Sequence, residues 1–130
     1  MDTGENINTL THHIIGCAMT VHNILGNGFQ EKVYQRALAI EFSEQCILFQ
    51  RELEMPLQYK GQGIGSRRVD FFVEEKVMLE IKAVEKLNGA HKAQAINYCE
   101  AYNIADELLI NFGDESLTFN RVYNKKFKRP

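Results

Sequence analysis

Cysteine is scarce and poorly placed for building structure. Cys17, Cys46 and Cys99 are odd in number and far apart, and no C-x-x-C occurs. Such a set supports neither a zinc knuckle nor a disulfide framework. Three reduced, mostly buried thiols are the expectation, and they suit a cytoplasmic protein. Long apolar runs are missing as well. None approaches the roughly 20 residues of a membrane-spanning helix, so no membrane partner is expected. The opening MDTGENINTL has neither the basic nor the apolar region of a signal peptide. A formal net charge of −2 argues against coating nucleic acid by bulk charge, although a local basic rim remains open. Lys60, Arg67, Arg68, Lys82, Lys86, Lys92 and the tail Lys125-Lys126-Phe127-Lys128-Arg129 are its candidates. The simpler reading of that tail is a solvated, frayed terminus. His12, His13 and His22 lack H-E-x-x-H spacing, so surface or core roles are expected of them. No G-x-S-x-G is present to support nucleophilic hydrolysis.

What is present fits one domain. The chain has 130 residues, 45% apolar and 25% charged, enough to enclose a core. Residues 7–25 carry Ile7, Leu10, Ile14, Ala18, Val21 and Leu25 at helical spacing, and Gly26-Asn27-Gly28 ends the run. A second helix is expected over about 30–46, with Val33, Ala37, Ile40 and Phe42 buried; Glu31, Tyr34 and Leu38 share another face. Residues 47–59 read as a strand broken at Pro56, which suits an edge or a bulge. Lys60 to Ser66 reads as a glycine-rich hairpin turn, without the pattern of a phosphate-cradling loop. A third helix is expected from about residue 87 to 103, with His91, Gln94 and Tyr98 on one face and Ala93, Ile96 and Ala101 packing. Residues 107–112 and 117–123 read as strands. The order α-α-β-β-β-α-β-β implies an α/β fold with a mixed central sheet flanked by helices, running as a single domain over 1–130 with its core at about 12–124.

Residues 67–85, RRVDFFVEEKVMLEIKAVE, form the centre of this pattern. They read as two apolar strands joined by Glu74-Glu75-Lys76. Asp70, Glu80 and Lys82 lie inside those strands, where charge is costly unless paired or bound to a metal. Alternation places Glu80 and Lys82 on one strand face. A three-residue turn sets Val73 against Val77 and Asp70 against Glu80, with Cβ atoms about 4.5–5.5 Å apart. Two carboxylates that close repel unless a cation lies between them. A two-residue turn would instead send them to opposite faces.

Asp70…Glu80-Ile81-Lys82 resembles the PD-(D/E)xK nuclease pattern, an Asp followed on the next strand by Glu-x-Lys. Around it stand Gly28-x-x-Glu31-x-x-Tyr34, Gln94-x-x-x-Tyr98 and Leu108-Leu109-Ile110-Asn111-Phe112-Gly113. In order and spacing, residues 12–124 resemble the small GxxExxY proteins, a prokaryotic (bacterial and archaeal) branch of that superfamily. The resemblance implies a restriction-endonuclease-like core. It assigns Asp70 and Glu80 as metal carboxylates, the Ile81 carbonyl as a backbone ligand, and Lys82 as the catalytic lysine. It makes Glu31 an additional carboxylate and Gln94 a polar residue on the crossover helix. Arg68, Tyr34, Tyr98 and His91 fall at family positions that suggest substrate binding. Val69 stands where the pattern has proline.

The residue types permit that chemistry independently. Carboxylates and a carbonyl without a His or Cys cluster suit Mg²⁺, with Mn²⁺ as substitute. Such an ion polarises a phosphodiester and acidifies water, and Lys82 can orient that water or neutralise transition-state charge. The expected function is therefore a Mg²⁺-dependent nuclease acting on nucleic acid. Three alternatives stay open: Lys82 in a purely structural salt bridge, Glu31 serving only the helix dipole, and a nuclease-fold module that binds nucleic acid or protein without turnover. A homo-oligomer is also compatible.

Overall fold

The computed structural model describes residues 6–129; expectations for the first five residues and for Pro130 lie outside them. Eight elements follow in the expected order: α1 (Ile7–Leu25), α2 (Glu31–Glu44), β1 (Phe49–Tyr59), β2 (Gln62–Val73), β3 (Val77–Lys82), α3 (Gly89–Tyr102), β4 (Asp106–Asn111) and β5 (Thr118–Tyr123). Among the described residues, no helix is long and apolar enough to cross a membrane.

The helices start and stop for local reasons. Asn6 caps α1 by accepting the Thr9 N–H at 2.8 Å, and Gly26, at φ 76°, closes it. Asn88 and His91 cap α3 reciprocally. Two helix faces differ from expectation. Tyr34, Leu38 and Phe42 form the buried stripe of α2 with Gln35 and Ala39, whereas Ile40 is 61% exposed and Val33 also faces out. The i, i+4 row with the largest side chains wins the core, because it buries the most apolar area. On α3 the buried positions are Ala95 and Cys99, while Ala93, Ile96 and Ala101 are exposed. Small residues let that helix lie close to the sheet.

The five strands run in the order β1-β2-β3-β4-β5. Neighbours are antiparallel except β3 and β4, which are parallel and joined through α3, as a parallel pair requires. The principal core lies between α1, α2 and the sheet and contains Phe71, Val73, Leu79, Ile81, Leu108 and Phe112. A smaller cluster of Ala95, Leu109 and Val122 lies under α3. Pro56 is on the edge strand β1, beside a register shift at Leu57/Gln58. The β1–β2 turn is only Lys60-Gly61, at φ 50° and 79°. That is the type I′ signature, so Gln62 to Ser66 belong to the strand and not to the expected longer turn.

The tail is anchored where fraying was expected. Asn103 and Lys128 exchange hydrogen bonds of 2.8 and 2.9 Å, and Lys126 N–H donates to Asn124 Oδ1. Beyond β3 the chain is held just as firmly. Asn111 Nδ2 donates to the Val84 carbonyl at 2.8 Å, and its Oδ1 accepts from Val84 N and Gly113 N, both at 3.0 Å. A Cβ on Gly113 would stand 2.4 Å from the Val84 carbonyl oxygen.

Two outcomes follow from this packing. Asn111→Leu leaves several main-chain groups without partners and should cost about 2–4 kcal/mol in urea unfolding, with Gly113→Ala costing about 3 kcal/mol or more, since its Cβ would overlap main-chain atoms of Ala83 and Val84. Cys46 is exposed while Cys17 and Cys99 are buried. Burial, reinforced by the Glu107 charge, pushes the Cys99 thiol up to about 12, so it stays protonated at neutral pH. Alkylation of the native protein should stop at Cys46 and reach the other two thiols only after denaturation.

Candidate nuclease site

The β2–β3 turn is the three-residue one, with Val73 opposite Val77 and Phe71 opposite Leu79. Continued by one step, that register sets Asp70 against Glu80. There the ladder stops. Asp70 Oδ2 accepts the Ile81 N–H at 2.8 Å, and Oδ1 accepts from Gln35 Nε2 of α2 at 2.8 Å. A carboxylate thus takes the place of a strand carbonyl as partner of Ile81. On the other side of β2, Glu52 adopts φ 54°, a left-handed conformation that a non-glycine residue rarely holds. Arg51 and Leu53 keep their pairing with Phe71 and Val69, while position 52, opposite Asp70, drops out of the ladder. Lys32 of α2 holds the Glu52 side chain by an ion pair.

This kink changes which way side chains point. Phe71 and Val73 lie in the core under α1 and α2, yet Arg67, of the same parity, reaches Glu80 on the α3 side. Simple alternation therefore fails at Asp70. The two acids are opposed in register, as expected, but held by different partners. They remain electrostatically coupled, since the Asp70 charge helps raise the Glu80 pKa.

On the α3 side lies a cleft of about 200 Å³ lined by residues including Arg68, Lys82, His91 and Gln94. Its floor is an ionic cluster. Arg67 Nη1 donates to Glu107 Oε1 at 2.9 Å, and Nη2 donates to Glu107 Oε2 at 3.1 Å and to Glu80 Oε1 at 2.9 Å. The guanidinium carbon lies 4.3 Å from the Tyr98 ring centroid. Burial pushes the Glu80 carboxyl up to about 8, against the pull of Arg67, and raises that of Glu107 too. Burial works against the charge of Arg67, but hydrogen bonding to Glu107 and the two carboxylate charges hold its pKa above the usual arginine value. One guanidinium is thus shared between two acids.

Of the residues singled out in the sequence, Arg68, Glu80, Lys82, His91, Gln94 and Tyr98 line this cleft. Arg68 is exposed and paired with Glu54 at 3.3 Å; His91 also serves the α3 cap. Asp70 stands at the strand seam. Tyr34 does not reach a surface where substrate could bind. It is 0% exposed, stacks on Phe112 at 4.6 Å, donates to the Gly26 carbonyl and accepts the Phe29 N–H. Its place in the sequence motif reflects the α1–α2 turn that it holds. Glu31 is exposed in the first turn of α2, one turn before Gln35. Among the described residues, no three His, Cys, Asp or Glu side chains form a group that could hold a metal, so the structure does not gather Glu31 with Asp70 and Glu80. By donor type, two carboxylates and a carbonyl suit a hard divalent cation that keeps several of its waters. Each carboxylate oxygen retains acceptor capacity beyond its present bonds.

Sequence reasoning named Arg67 only as a candidate for a basic rim and missed Glu107 and Gln35. Glu107 opens an apolar run, and Gln35 sits one residue beyond the motif tyrosine. An acidic residue at the head of a buried strand was the available signal.

Residues 8–122 match the PD-(D/E)XK nuclease superfamily profile. No curated protein matches the chain in sequence. Among solved structures, the fold is similar to that of SSO0001, with a TM-score of 0.56 and 15% identity over 72% of this chain and 49% of that one. The chain therefore spans about half the length of that protein. An alkaline exonuclease (LHK-Exo) from Laribacter hongkongensis is similar at a TM-score of 0.42 and 12% identity, over 95% of this chain and 73% of that one. The profile match takes in both strands of the seam, the crossover helix and the strand bearing Glu107, and on it the chain belongs to the PD-(D/E)XK nuclease superfamily.

Proposed function

We propose that the protein is a nuclease of the GxxExxY type that hydrolyses phosphodiester bonds in nucleic acid with Mg²⁺, or Mn²⁺ in its place. The observation that carries this reading is the seam itself. Asp70 is fixed on Ile81 N at 2.8 Å, between Glu80 and Lys82, and those two side chains open into one cleft with Gln94. Asp70, Glu80 and the Ile81 carbonyl would hold the ion, with Glu31, exposed one helical turn before Gln35, as an outlying carboxylate. When bound, the ion supplies Lewis-acid polarisation and an acidified water.

The chain's own residues supply the remainder. Lys82 orients the attacking water and offsets charge on the pentacovalent transition state. Gln94, exposed on α3, donates to a phosphate oxygen. Arg68 and His91 border the same cleft and meet the nucleic-acid backbone, to which phosphate contacts of this kind bring affinity and orientation.

One observation favours a second reading. Glu80 already has a cationic partner in Arg67 at 2.9 Å, as expected of a nuclease-fold module that binds without cutting.

The two readings predict different outcomes. If the nuclease reading holds, calorimetry should show Mn²⁺ uptake by the protein and none by Asp70→Ala. Lys82→Ala should keep Mn²⁺ binding and lose about 10²–10³-fold in cleavage of DNA or RNA, and chelation of divalent ions should stop cleavage in the unmodified chain. Ion uptake with no cleavage of any single- or double-stranded substrate would favour the binding module.

A further inference from the structure

Arg67 and Glu107 have no part in the chemistry proposed above, yet they form the most tightly bound group in the cleft. Glu107 is 0% exposed and gives both oxygens to Arg67, at 2.9 and 3.1 Å. The Tyr98 ring lies against the guanidinium, 4.3 Å from the carbon to the centroid, and Tyr98 is itself stacked on Tyr102 at 6.0 Å. A planar cation gripped along one edge by a fork of hydrogen bonds and supported on one face by a ring has little freedom. The Nη2 that serves Glu107 also donates to Glu80 Oε1 at 2.9 Å. An arginine committed to one buried and one half-buried carboxylate is a poor anchor for phosphate, a role better filled by Arg68 and Lys82.

We infer that Arg67 is a positioning residue: clamped by Glu107 and Tyr98, it fixes one oxygen of Glu80 so that the carboxylate is preset for a divalent cation. The inference rests on the metal-dependent reading proposed above. It explains a fully buried acid on β4 that the reaction does not otherwise use. Lysine is a poor substitute, since a compact ammonium lacks the planar fork that grips both oxygens of Glu107 while a further N–H reaches Glu80.

Mn²⁺ titration by calorimetry, with thermal melts of the same samples, tests it. Arg67→Lys should weaken Mn²⁺ binding by about 10–100-fold, the usual cost of losing a group that orients a metal ligand. Removing one buried charge alone risks the fold, so the decisive variant is Arg67→Met with Glu107→Leu. It removes the forked pair as a whole, so that of the three charges only Glu80, which opens into the cleft, loses a partner. Exchanging a buried pair for apolar groups is often neutral or stabilising. Its melting temperature should stay near that of the unmodified protein while Mn²⁺ affinity falls as in Arg67→Lys. Tyr98→Phe keeps the ring and should bind as the unmodified chain does; Tyr98→Leu should weaken binding. Unchanged Mn²⁺ affinity in the double variant and in Tyr98→Leu, with Asp70→Ala still unable to bind, overturns the positioning role alone. No Mn²⁺ uptake by the unmodified protein overturns the metal-dependent reading and this inference with it.

Discussion

A side-chain carboxylate stands in for a peptide carbonyl at the centre of the sheet, and the arrangement of the site follows from that exchange. By accepting the Ile81 N–H at 2.8 Å, Asp70 satisfies a main-chain donor where β2 leaves β3, so the strands part without stranding a buried polar group. Parting opens the cleft. Gln35 completes the support from α2, which ties the packing of the second helix to the position of the acid. The left-handed Glu52 directly across β2 takes up the accompanying bend. Strain of this kind persists only where surrounding structure enforces it, and here the Lys32 ion pair and the intact flanking register do so.

Charge in the cleft obeys the same economy. Three acids and two bases line or border the cleft, and burial disfavours the ionised forms of Glu80, Glu107 and Arg67. Arg67 reconciles most of this by serving Glu107 and Glu80 together. What it leaves over is Asp70, held by two uncharged donors, the Gln35 amide and the Ile81 N–H, in a superfamily whose members generally use divalent ions.

Much of the fold was legible because hydrophobic period and turn chemistry agreed. Ile7–Leu25 announced itself through spacing and Gly26, and Val73 against Val77 followed from a turn of three residues. The failures share a cause. On α2, Val33 and Ile40 are apolar but lose the core to the larger Tyr34, Leu38 and Phe42, a competition that period alone cannot decide. At Asp70, alternation assumes a flat ladder, and a single left-handed residue on the neighbouring strand breaks that assumption. Arg67 and Glu107 are 40 residues apart, so their pairing depends on β2 and β4 both flanking β3, which no local pattern reveals. Tyr34 illustrates the converse: a motif residue that the family resemblance linked to substrate is buried and holds a hydrogen-bonded turn.

The clasp between Asn103 and Lys128 has a practical meaning. It holds the last described residues at the C-terminal end of α3, whereas Gln94 and His91 lie nearer its beginning. At 1.5 Å per residue, the nine positions from Gln94 to Asn103 span about 14 Å. A fluorophore carried on the exposed Lys128 would thus sit well clear of the mouth of the cleft.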